Sequence, residues 1–140
     1  MTDVQLAYRM RTLFDQKITA FYFASFKGEF GKVQIDVLSD LYEGAATTAV
    51  RLSDKLNVPK QHISKILKRL ETEGLLESAP APDRRSRTLR LSEKGRSLVE
   101  EHIQKSNEHF ARVTAGLSPE ERAELRRSMG SIAAIMERLE

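Results

Sequence analysis

The chain has 140 residues, enough for one domain with its own hydrophobic core and no covalent or metal staples. It contains no cysteine, which excludes a disulfide framework, a cysteine-ligated zinc finger, a cysteine nucleophile and thiol-based redox sensing. The net charge of +3 is modest but unevenly placed: Thr48 to Arg96 holds twelve Lys or Arg against six Asp or Glu, a local charge of +6, while the flanks together carry −3.

Residues from about Val4 to Lys27 read as one long helix, with Leu6, Met10, Leu13, Phe14, Ile18 and Phe21 on an apolar stripe. Seven of the nine aromatic residues lie between Tyr8 and Phe30, which marks this end as a packing surface. Val33 to Glu43 reads as a second helix, with Gly44 as its stop. Thr47 or Thr48 can cap a third, Ala49 to Leu56, whose buried face is Ala49, Leu52 and Leu56. Asn57-Val58-Pro59 makes a turn, and Pro59 suits the first turn of the next helix, where an amide hydrogen has no intrahelical partner. That helix, to about Thr72, carries the cleanest apolar stripe of the chain, Ile63, Ile66, Leu67 and Leu70. At about 100° per residue, Gln61, Lys65, Lys68 and Thr72 fall opposite the stripe.

Gly74 ends the helix, and Leu75 to Ala79 and Thr88 to Ser92 read as two short strands, with Leu89 and Leu91 turned inward. From Ser92 a long helix runs to about Ala115, carrying Val99, Ile103, Phe110 and Val113 on its apolar side. Ser118-Pro119-Glu120-Glu121 opens a last helix with a capping box, followed by Leu125, Met129, Ile132, Met136 and Leu139 at alternating spacings of four and three. The expected architecture is mainly α with a small β-hairpin.

The stretch from Asp83 to Gly95 packs four arginines and a lysine into thirteen residues, close behind a helix with a cationic outer face. A basic helix face alone is an ordinary solvated surface. Helix, turn, helix and hairpin in this order, however, make a winged helix-turn-helix, in which one helix offers side chains to the major groove while the wing reaches backbone or minor groove. Gln61 suits a bidentate contact to adenine and Lys65 a contact to guanine; Lys60, Lys68 and Arg69 are better placed for phosphates, and His62 could do either. Lys68 and Arg69 also precede Glu71 and Glu73 by three and four residues, where helix-surface ion pairs would compete. Arg84, Arg85 and Arg87 occupy a proline-stiffened loop, and arginine is favoured by the negative potential of a narrow minor groove.

On these residues the chain resembles the MarR family of winged-helix transcriptional regulators. The segment Val50 to Leu76, and above all Asp83-Arg84-Arg85-Ser86-Arg87 running into Leu91-Ser92-Glu93-Lys94-Gly95, carry a resemblance that extends over essentially the whole chain. It implies a single domain over residues 1–140, with a winged helix at about 33–95 and dimerisation helices at about 4–30 and 96–139. It implies that Arg85 is the wing-tip arginine of the minor groove, that Asp83 positions the wing, and that Lys60, Gln61, His62, Ser64 and Lys65 form the base-reading surface. It further implies a homodimer on a pseudo-palindromic operator in double-stranded DNA, repression rather than activation, control by a small aromatic or anionic effector, and no cofactor. One departure is Pro59, where the family usually starts its recognition helix with Ser or Thr; the lost side-chain cap is worth about 1 kcal/mol. The alternative is a winged helix used for protein contacts without DNA.

Other features read as structure. The aromatic residues Phe21, Tyr22, Phe23, Phe26 and Phe30 are expected to form core or dimer interface rather than a ligand pocket. His102 and His109 stand about 10.5 Å apart along one helix, too far to share a zinc ion within it; surface histidines are expected, the alternative being a site completed by other helices or a second subunit. There is no glycine-rich phosphate loop and no nucleophile with a partnered histidine, so no enzyme is expected. Met1 to Leu6 lacks a basic-then-apolar leader, and no segment approaches the roughly 20 apolar residues of a membrane span, so a cytoplasmic protein with no membrane partner is expected.

Overall fold

The computed structural model describes residues 1–26, 30–44, 46–81 and 86–139. The first helical stretch is α1 (Asp3–Phe14), a π-helical turn (Asp15–Thr19) and α2 (Ala20–Ala24), joined without a break in helical backbone. Thr2 and Gln5 start it with a reciprocal capping box. The long first helix predicted from the sequence is therefore present, interrupted by one wider turn. Then come α3 (Lys32–Glu43), α4 (Ala49–Leu56) and α5 (Lys60–Thr72), the hairpin β1 (Leu76–Pro80) and β2 (Arg87–Leu91), and α6 (Glu93–Val113) and α7 (Pro119–Met136).

The strands pair antiparallel, Leu76 opposite Leu91 and Pro80 opposite Arg87, each strand one residue removed from its predicted limits. The shift has a local cause: α5 ends in a Schellman motif that claims Leu75. Gly74 takes φ +76°, Leu75 N–H donates to the Leu70 carbonyl at 2.9 Å, and Gly74 N–H donates to that of Glu71 at 3.0 Å. A third backbone segment joins the hairpin where Thr47 and Leu89 exchange both hydrogen bonds, at 3.1 and 2.7 Å.

The core lies within the winged-helix part. Ile35, Val37, Leu38 and Leu41 of α3, Leu52 of α4, and Ile63, Ile66, Leu67 and Leu70 of α5 are buried together with Leu75, Leu76, Leu89 and Leu91. Val99 of α6 and Phe26, which follows α2, close this core from the other side. By contrast, neither α1 nor α7 has a buried residue among those described. Leu6, Met10 and Leu13 of α1 and Ile132, Ile135 and Met136 of α7 are exposed, and Met10, Phe14, Met129, Ile132 and Ala133 line an apolar groove of about 350 Å³.

His102 is buried, which corrects the expectation of a surface residue. Its ring stacks on Phe26 with centroids 3.7 Å apart, and Nδ1 meets Ser25 Oγ at 3.0 Å. That hydroxyl spends its one proton on the Tyr22 carbonyl at 2.7 Å, so Nδ1 carries the hydrogen and donates. One heptad on, His109 is half-buried and stacks on Phe21 at 4.1 Å, so both histidines bind α6 to the first helical stretch. Tyr22, Phe23 and Phe30 pack against the core, which accounts for most of the aromatic cluster as structure.

Candidate nucleic-acid interface

Local chemistry fixes the helix-turn-helix. Thr48 Oγ1 accepts the Arg51 N–H at 3.3 Å and so caps α4. At the other end Asn57 adopts φ 52°, ψ 48°, a left-handed conformation that asparagine tolerates better than most residues. Val58 N–H then donates to the Ser53 carbonyl at 3.1 Å, and Ser53 Oγ to the Val58 carbonyl at 2.6 Å. Pro59 takes the N-cap position of α5, where its carbonyl accepts from His62 and Ile63 N–H at 3.0 and 3.1 Å. As the sequence predicts, no side chain caps α5 at Pro59.

With Ile63, Ile66, Leu67 and Leu70 buried, Lys60, Gln61, His62, Ser64, Lys65, Lys68 and Arg69 are all exposed along one helix of 13 residues. Arg69 Nε stands 3.0 Å from Glu73 Oε1, the intrahelical ion pair anticipated as the competitor of a phosphate contact. The far end of α5 is fastened to α6. Ser92 Oγ donates to the Gly74 carbonyl at 2.6 Å and accepts from Gly95 N–H at 3.0 Å, and Lys94 Nζ donates to the Glu73 carbonyl at 3.0 Å.

Asp83, Arg84 and Arg85 lie outside the described residues. Arg87 is the first residue of β2 rather than part of the loop tip; its Nε and Nη2 donate to Ser78 Oγ at 3.0 and 2.8 Å. Ser78 Oγ in turn donates to Glu71 Oε1 at 2.8 Å. Arg90, left without a role by the sequence, pairs with Glu77 across the hairpin at 3.0 Å. Between α4, α5 and the hairpin lies a groove of about 410 Å³, lined by Thr48, Lys60, Ser64, Lys68, Glu71 and Arg87 among others. Sequence reasoning missed Ser78, although a signal existed: strand alternation puts it on the face of Leu76, where an apolar residue would be routine.

The surface thus joins an exposed, mainly cationic helix face to an adjacent hairpin through a concave groove. Its shape and charge suit a polyanion of groove-and-ridge relief. Among the described residues, no three His, Asp or Glu side chains come together as a metal site, and no helix is long and apolar enough to cross a membrane.

Residues 30–95 match a family described as winged helix DNA-binding domain. No curated protein matches the chain. Among solved structures, the chain is similar to a MarR family protein from Bacillus stearothermophilus, at 23% identity over 99% of each chain with a TM-score of 0.82. It is similar to FabT of Streptococcus pneumoniae, solved in complex with DNA, at 19% identity over 99% of this chain and 100% of that one, with a TM-score of 0.74. It is also similar to MarR of E. coli in its apo form, at 22% identity over 94% and 97% of the two chains, with a TM-score of 0.72. The resemblance first read from the wing and the helix order therefore holds over the whole architecture: residues 30–95 are a winged helix domain, set within the fold of the MarR family regulators.

Proposed function

We propose that this chain is a cytoplasmic transcriptional regulator of the MarR type, a repressor that binds a pseudo-palindromic operator as a homodimer and is modulated by a small-molecule effector. The observation that carries the reading is the exposed polar face of α5, Lys60 to Arg69, standing beside a hairpin whose second strand opens on Arg87, directly after a connecting segment whose sequence holds Arg84 and Arg85. The solved complex of FabT with DNA, a structure of the same fold, supports it. In this reading Gln61, His62, Ser64 and Lys65 read bases, Lys60, Lys68 and Arg69 hold phosphates, Arg84, Arg85 and Arg87 follow the backbone and minor groove, and Asp83 sets the wing. The uncovered apolar sides of α1 and α7 support a dimer. A second copy would cover them and place two recognition helices about 34 Å apart, one helical turn of DNA.

The test is a gel shift with genomic DNA that co-purifies with the protein, titrated from about 50 to 200 mM salt, over which binding through several phosphates falls about a thousandfold or more. Arg85→Ala should weaken binding strongly and leave the dimer intact. No binding to duplex DNA at low salt would favour protein contacts as the role of the winged helix.

A further inference from the structure

Three elements that must present themselves together to DNA meet at a single oxygen atom, the hydroxyl of Ser78. Glu71 belongs to the last turn of α5, Ser78 to the middle of β1, and Arg87 opens β2 directly after Ser86. Ser78 Oγ accepts from Arg87 Nε at 3.0 Å and Nη2 at 2.8 Å, and Nη2 also reaches the Ser78 carbonyl at 3.3 Å. A hydroxyl has one proton and two lone pairs, so with both lone pairs taken by the guanidinium its proton goes to Glu71 Oε1, 2.8 Å away. The direction is fixed: cation to hydroxyl to carboxylate, each bond polarising the next.

We propose that Glu71, Ser78 and Arg87 form a positioning relay that sets the angle of the wing to the recognition helix, so that both enter the DNA in register. The relay rests on the DNA-binding reading given above. Among the described residues the sheet is only these two strands, with one further backbone bridge, Leu89 with Thr47, near the inner end of the hairpin. An exposed ion pair alone would fix little. Here the link is two-pronged on the arginine side, passes through a half-buried hydroxyl and ends on a helix held at both ends.

Charge alone makes the opposite forecast, which gives the relay a sharp test. Glu71 lines the groove shared with Lys60 and Lys68, so a carboxylate there repels phosphates, and its removal would tighten binding on Coulomb grounds. The relay requires that removal to weaken it. Wild type, Ser78→Ala, Ser78→Thr and Glu71→Ala would be compared on one duplex by fluorescence anisotropy at fixed salt, with a minor-groove footprint, a major-groove methylation footprint and thermal melting of the free protein. Ser78→Ala and Glu71→Ala should each lose about three- to tenfold in affinity, the scale of one charge-assisted hydrogen bond. Both should lose minor-groove protection under the wing while major-groove protection under α5 persists, and Ser78→Thr, which keeps the hydroxyl, should restore both. Glu71→Ala carries the test even where Ser78→Ala folds poorly, because its helix position is exposed and alanine is a favourable helix former. Unchanged or tighter binding by Glu71→Ala with the wing footprint intact overturns the relay alone. No binding by the wild-type chain at low salt overturns the DNA reading and the relay with it.

Discussion

A β-carbon placed on Gly95 would stand 2.2 Å from the carbonyl oxygen of Leu75, a separation that real β-carbons do not show. The same carbonyl accepts the Ser92 N–H at 3.0 Å, so the first turn of α6 is pressed onto the backbone that leaves the recognition helix. The glycine that closes the Leu-Ser-x-x-Gly pattern is therefore a contact residue between the end of α5 and the long helix α6 behind it.

Gly95→Ala consequently tests that joint. Alanine gains about 1 kcal/mol in helix propensity over glycine. The clash is with backbone, however, and no rotamer change relieves it, so overpacking at about 1–3 kcal/mol decides the sign. Urea unfolding at fixed protein concentration should show a lower midpoint for Gly95→Ala than for the wild type. A higher midpoint would mean that the α5–α6 junction yields more freely than its hydrogen bonds suggest.

The exposed stripe on α7 leads to a second expectation. Ile132 and Ile135 are 39% and 50% exposed in the single chain, and Ile132 borders the apolar groove shared with Met10 and Phe14. If a second copy covers this face, Ile132→Asp buries a charge there and costs about 2–4 kcal/mol of association, roughly thirty- to a thousandfold in dimer dissociation constant. Sedimentation velocity across a concentration series reads this directly. Equal dimer populations in variant and wild type would place the dimer contact elsewhere.

The parts of the fold that follow from spacing were legible before the structure. The α5 stripe from Ile63 to Leu70, the cap of α4 and the Ser118 capping box each depend on residues within a turn or two of one another; the stripe and the box are as read, and of the two threonines offered as the cap the structure uses Thr48. What escaped depends on partners distant in the chain. His102 reads as a surface residue beside Glu101, yet its ring finds Ser25 and Phe26, more than seventy positions earlier, which no local pattern encodes. The π turn at Asp15–Thr19 leaves no periodic mark, because the apolar stripe stays helical on both sides of it. In the candidate interface, the exposed face of α5 was legible as the complement of its buried stripe. The Ser78 hub was not, since its role exists only once β1, β2 and α5 converge.

Asp36 on α3 offers a pH test of the packing. Burial is the chief cause raising its carboxyl above the ordinary aspartate range, and Lys32 opposes this in part. In the window between the ordinary value and the raised one, the folded state holds more protons than the unfolded chain, so wild-type stability rises as pH falls through it. Above that window the half-buried carboxylate is a net cost. Asp36→Asn should therefore melt slightly higher than wild type at neutral pH, a gain of at most about 0.5 kcal/mol as for most substitutions outside a core. The difference should close as the pH drops through the window and the wild-type carboxyl takes up its proton. A difference independent of pH would assign the effect to packing of the amide instead.

If α5 is the recognition helix, as proposed, two kinds of contact along it should respond differently to mutation. Gln61 stands near the start of α5, exposed and without an acidic neighbour inside the helix turn that follows it, which suits base reading. Lys68 sits two turns later in the groove beside Thr48 and Arg87, which suits a phosphate. Gln61→Ala should cost about 1–3 kcal/mol on the preferred duplex and much less on duplexes changed at one base pair, thereby relaxing preference at that position. Lys68→Ala should weaken all duplexes alike and lower the slope of log affinity against log salt by about one. Anisotropy titrations on a panel of single-base variants at three or more salt concentrations distinguish the two. If Lys68→Ala changed sequence preference and left the salt slope alone, α5 would lie deeper in the groove at its C-terminal end, and the assignment of bases and phosphates along the helix would have to be reversed.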